Sequence, residues 1–184
     1  MRAKHLIHFL LLMAMIRGLA QSPNDGKVSA NSYVNSYFKF SYAWPAILKP
    51  YDTSSLNAPQ HSPSANEFLL FSARQGDEPF GVLVIAVRLN AVTAHSRGIR
   101  DGADFLDRVT QFKPEQHAVI EARKHFKNVD GLTIDQLIYT TNGEYTSATA
   151  AEIGGFLIVF RCNAKSSADL EEMSKSVVAL SPIK

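Results

Sequence analysis

The chain has 184 residues, 46% of them hydrophobic, and its 19 Lys and Arg against 17 Asp and Glu give a formal charge of +2. No basic tract long enough to follow a phosphate backbone is present, which argues against a nucleic-acid partner. A single cysteine, Cys162, rules out an internal disulfide and any multi-cysteine metal site.

Residues 1–20 read as a signal peptide. Arg2, Lys4 and His5 make a basic start, Leu6 to Ile16 is a short apolar core, and Gly18 and Ala20 suit cleavage before Gln21. The apolar run is shorter than the ~20 residues a bilayer span needs. Removing the leader takes away three cations and no acid, so the formal charge goes from +2 to −1. The expected destination is outside the cytoplasm, periplasmic or extracellular, with no transmembrane span after cleavage. Residues 21–31 are polar and carry Pro23 and Asn24-Asp25-Gly26, which predicts a flexible arm. Residues 32–184 then form one domain, of a size that needs no disulfide or metal to be stable.

Phe38, Phe40, Tyr42 and Trp44 recur with period two, which predicts one half-buried strand over residues 33–44 with an aromatic inner face, ended by Pro45. Residues 50–66, with three prolines, are predicted to be a long loop. Strands follow at 67–73 and 81–89. The second, Val82-Leu83-Val84-Ile85-Ala86-Val87, is apolar on both faces and so must be covered on both. Residues 101–112 read as a helix with Phe105, Leu106, Val109 and Phe112 on one face. Asp130-Gly131, Asn142-Gly143 and Gly154-Gly155 then separate four strand-length segments, 119–129, 132–141, 144–153 and 156–163, an antiparallel meander. A last helix over 167–180 can be capped by Ser166 or Ser167 and carries Leu170, Met173, Val177 and Leu180 as a stripe. The elements predict an α+β fold, an antiparallel sheet covered by helices.

Reactive constellations are sparse in this pattern. Of the histidines beyond the leader, His61, His95, His117 and His125, none pairs as HxH or HExxH, so no metal site is expected. There is no GxSxG elbow and no GxGxxG, and Glu144 and Glu152 stand at opposite ends of one strand, too far apart for a glycosidase pair. Cys162 shares a face with Phe156, Ile158 and Phe160, which marks it as a core residue rather than a nucleophile. The candidate binding residues are Arg88 and Arg161, each ending an apolar strand, and Trp44 and Tyr51 beside the 50–66 loop. No catalytic residue and no cofactor is indicated.

The order of elements resembles the PsbP-like family, named for an extrinsic subunit of the oxygen-evolving complex, whose fold also occurs in a Ran-binding import factor. The resemblance rests on Tyr33 with Phe38-Lys39-Phe40-Ser41-Tyr42-Ala43-Trp44-Pro45, the apolar strand at 81–89 and Gly102-Ala103-Asp104 at a helix start. The turn Val129-Asp130-Gly131 and the final strand and helix complete it. It implies an α/β/α sandwich that works by docking to other proteins without catalysis. The expected function is therefore an exported, non-catalytic binding or assembly-accessory domain acting through protein contacts on an unknown partner, with the cell envelope as a candidate location. The alternative is a secreted hydrolase or small-ligand-binding protein using the 50–66 loop and a cationic pocket at Arg88 or Arg161.

Overall fold

The structure is a computed structural model, and it describes residues 22–29, 31–52, 66–76, 80–91, 98–112, 116–178 and 181–182. The predicted leader, most of the 50–66 loop, His61, His95 and Leu180 lie outside the described residues. Eleven strands and two helices are described: β1 (Gly26–Ser29), β2 (Ser32–Asn35), β3 (Phe40–Ala43), β4 (Lys49–Pro50), β5 (Glu67–Arg74), β6 (Gly81–Arg88), α1 (Gly102–Val109), β7 (Val119–Lys127), β8 (Thr133–Thr141), β9 (Glu144–Ile153), β10 (Phe156–Ala164), α2 (Ser167–Val178) and β11 (Ser181–Pro182). The strands make two sheets, one ordered β1-β2-β3-β11 and the other β4-β5-β6-β10-β9-β8-β7. Every pairing in them is antiparallel.

The long sheet has two covered faces, as the doubly apolar β6 requires. On one lie the small sheet and α2, which together bury Phe40, Tyr42, Trp44, Phe71, Ile158, Phe160 and Cys162 with Leu170, Met173 and Val177. On the other lies α1, whose Leu106 packs on Leu137, Tyr139 and Ala148. Beside it Val87, Leu157 and Val159 pack under Ile99 and Phe105. The result is an α+β fold in which a C-terminal meander precedes a terminal helix.

The helix ends follow local chemistry. The Asp101 carboxylate accepts the Asp104 N–H at 2.7 Å, capping α1. Asp104 in turn accepts the Arg100 N–H at 3.0 Å and pairs with Arg108 at 3.2 Å. That backbone donor, with the neighbouring guanidinium groups of Arg108 and Arg100, holds the Asp104 carboxyl below its usual range. Ser166 caps α2, its Oγ accepting the Asp169 N–H at 3.1 Å and donating to the Asp169 carboxylate at 2.6 Å.

Residues 33–44 are a hairpin, not the single strand their alternation predicts. Residues 36–39 form a turn between β2 and β3, and Lys39 takes a φ of 54° there. The Asn35 side chain closes this turn by accepting the Phe38 N–H at 3.0 Å. The period-two aromatic pattern survives the break because Phe38 still reaches the core from the turn, edge-on to Phe156 at 5.1 Å. Within the predicted arm, residues 26–29 form β1 and pair with β2 in register. Asn142-Gly143 and Gly154-Gly155 make two-residue turns with positive φ at both positions. Asp130-Gly131 instead lies in a wider loop, in which Asn128 Oδ1 accepts the N–H groups of Asp130 and Leu132, each at 3.0 Å.

Three buried acids make the core sensitive to alkali. Burial pushes the Tyr33 hydroxyl up to about 12, the Cys162 thiol up to about 12, and the Tyr42 hydroxyl further still. In the unfolded chain these groups ionise at their ordinary values near 9 to 10. Above that range the unfolded state binds fewer protons than the folded one, so stability falls as pH rises. Urea midpoints measured from pH 7 to 11 are expected to hold through neutrality and drop beyond about pH 9, with Tyr33 and Tyr42 ionising only on unfolding. A midpoint unchanged at pH 11 would contradict this burial.

Candidate functional site

The small sheet and α2 do not cover the whole inner face of the long sheet. α2 packs on β10, β9 and β3, and a gap remains between it and the outer strands β8 and β7. The gap is a groove of 770 Å³, with α2 as one wall. Its volume falls in the range of ~300–1,000 Å³ usual for ligand sites.

The groove's floor is polar because the meander alternates. Thr149 pairs with Gln136 and Ser147 with Ile138, and all four face the groove side of the sheet. Gln136, Ser147 and Thr149 are buried. The Gln136 amide donates to Ser147 Oγ at 3.1 Å and to Thr149 Oγ1 at 3.4 Å. A buried amide held this way is fixed in orientation, since any other rotamer leaves several groups unsatisfied. From the α2 wall Ser174 lines the groove; its hydroxyl is buried and has no hydrogen-bond partner among the described residues. Ile138, Tyr145 and Leu170 supply apolar surface.

Charged groups rim the opening. Glu171 and Lys175 on α2 neutralise each other at 3.0 Å. Glu121 and Lys124 on β7 have no ion-pair partner among the described residues. On the opposite face of β7 Arg123 pairs with Asp107 and the His125 ring bonds Asp135, both at 2.7 Å, while Lys127 has no ion-pair partner among the described residues.

The residues singled out from sequence lie elsewhere. Trp44 is in the core, stacked on Phe71 at 4.5 Å, with its indole N–H donating to the Leu48 carbonyl at 3.3 Å. Arg88 lies over the Phe156 ring at 4.6 Å, on the small-sheet face. Arg161 is on the other face, because it alternates with Phe160 and Cys162, and it lines a hollow of 190 Å³ with Arg74. Five residues of β10 separate the Arg88 and Arg161 levels, about 17 Å along the strand. Tyr51 is exposed and stacks under the Arg74 guanidinium at 4.1 Å, so the structure brings Tyr51 and Arg161 to one end of the sheet through Arg74. Arg88 is apart from both. Sequence reasoning missed the groove. The available signal was small polar residues at alternate strand positions, Ser147 and Thr149, opposite Gln136, where a closed core would carry aliphatic side chains.

A long antiparallel sheet with a helix on one face, and a small sheet and helix on the other, is the PsbP-like architecture. A solved structure of that class, cyanobacterial PsbP (CyanoP) from Synechocystis sp. PCC 6803 in solution, matches with a TM-score of 0.55 at 13% identity. The match covers 91% of this chain and 95% of that one. At that identity the likeness establishes the fold and transfers no residue role. No family model and no curated protein matches the sequence. No described helix is long and apolar enough to cross a membrane.

Proposed function

We propose that this protein is an exported, non-catalytic binding domain that holds a peptide chain, free or part of a polypeptide, in the groove between α2 and β7–β9. The observation that carries the reading is the buried Ser174 hydroxyl, unpartnered, facing a concave site whose floor is the oriented Gln136 amide. Such groups hold a ligand rather than attack it. Ser174 has no base within hydrogen-bond reach among the described residues, and Ser147 and Thr149 bond to an amide that cannot take their protons. Export is supported by the basic start, apolar core and small residues of positions 1–20. The cationic end at Arg161 and Arg74, with Tyr51, offers a secondary contact.

Photo-activatable residues placed singly at Lys124 and at Val129, which is 95% exposed and outside the groove, test this in the native host. Position 124 should yield a discrete adduct with one envelope or secreted polypeptide or with a short peptide, read by mass, and position 129 should not. Equal adducts from both positions, or none from 124, would overturn the reading.

A further inference from the structure

β7 carries a β-bulge between Ile120 and Ala122, where two successive residue pairs, Ile120–Tyr139 and Ala122–Ile138, leave Glu121 without a partner on β8. In a regular strand Glu121 would share the face of Arg123 and His125, away from the groove. The extra residue re-aims it, so Glu121 lines the groove together with Lys124. One free carboxylate and one free ammonium thereby stand on the same wall. They are three residues apart, about 10 Å at strand rise and somewhat less through a bulge. The Gln136 amide on β8 and, on the facing α2 wall, the Ser174 hydroxyl, unpartnered among the described residues, line the same groove.

From this arrangement we infer that the groove takes a short peptide with both termini free. Resting on the binding reading above, the inference names the ligand class. The ammonium terminus faces Glu121 and the carboxylate terminus faces Lys124. A fully extended chain of three residues spans at most about 10 Å, matching the separation of the two charges. Its backbone amides supply the donors and acceptors that Ser174 lacks and Gln136 can exchange, and its side chains meet Ile138 and Leu170. Glu171 and Lys175 are occupied with each other and contribute no net charge. A free amino acid is too short to reach both charges, and a blocked peptide offers neither.

Trialanine with free termini, N-acetyl-trialanine, trialanine amide, the doubly blocked peptide and free alanine are titrated into the isotope-labelled protein. The unblocked tripeptide should shift the Gln136 side-chain amide and bind about tenfold or more tightly than the doubly blocked one. Glu121→Gln should weaken the unblocked peptide but leave N-acetyl-trialanine unchanged, and Lys124→Met should do the same with respect to trialanine amide. Both residues are exposed, so the variants are expected to fold. Equal binding of blocked and unblocked peptides, binding of alanine as tight as the tripeptide, or no binding of unblocked trialanine would each overturn the inference. Blocked-peptide binding that protects the β7 amides would reveal strand addition at that edge and also overturn it. A polypeptide adduct at position 124 without tripeptide affinity would sink this inference and leave the binding reading standing.

Discussion

Phe160→Ala should lower folding stability by about 3–5 kcal/mol, the range for emptying a large aromatic site in a core that relaxes only in part. Phe160 is 1% exposed and sits where the small sheet meets the long one, its ring 5.0 Å from Tyr42 and 6.2 Å from Phe40. It also faces the same side of β10 as Cys162 and Ile158, under α2. A loss of that size is a fifth or more of the roughly 5–15 kcal/mol that holds a domain together. With a urea slope of about 2 kcal/mol/M, the midpoint should fall by about 2 M. Phe160→Leu keeps most of the volume and should cost clearly less. Equilibrium urea unfolding of the three proteins decides it, and a Phe160→Ala loss under about 1 kcal/mol would mean that the two sheets do not share one core.

The second large effect concerns a single buried polar side chain. Asn35 is fully buried, its Oδ1 accepting the Phe38 N–H at 3.0 Å and its Nδ2 donating to the Pro23 carbonyl and the Tyr33 hydroxyl, both at 2.8 Å. It thus joins the entering chain, the β2–β3 turn and the aromatic core at one point. Asn35→Leu keeps the bulk and leaves all three partners unsatisfied, each costing about 1–3 kcal/mol where water cannot reach. The expected loss is about 3 kcal/mol or more, concentrated in β1–β3. Asn35→Asp keeps the acceptor and loses both donors, so amide exchange should separate the two variants. The Phe38 amide should lose protection in the leucine variant and retain part of it in the aspartate variant. Equal protection in both would refute the Asx-turn as the closure of this hairpin.

These two sites mark where sequence reading succeeded and where it stopped. The burial of Phe38, Phe40, Tyr42 and Trp44 was legible because period two places alternate side chains on one face whatever the strand pairs with. The turn among them was not, since it depends on the Asn35 carboxamide reaching a backbone N–H three residues on. Arg88 and Arg161 look equivalent as sequence, each a cation near the end of an apolar strand. The antiparallel register pairs Arg88 with Phe156 and Arg161 with Leu83, and strand parity then sends the two to opposite faces. The same holds for Glu121, whose direction is set by a bulge that exists only in the pairing of β7 with β8.

The sequence by itself determined the meander, the doubly covered β6, both helices and the buried thiol, because periodicity, caps and glycine turns act over a few residues. Only the tertiary structure decided that the strands divide into two sheets and that α2 stops short of β7. The open strip that results brings Glu121, Lys124 and Gln136 of the β7–β8 hairpin to Ser174 of α2, some forty residues further along the chain. Their convergence depends on register and on helix docking, which are set by summed burial over the whole core rather than by any local pattern.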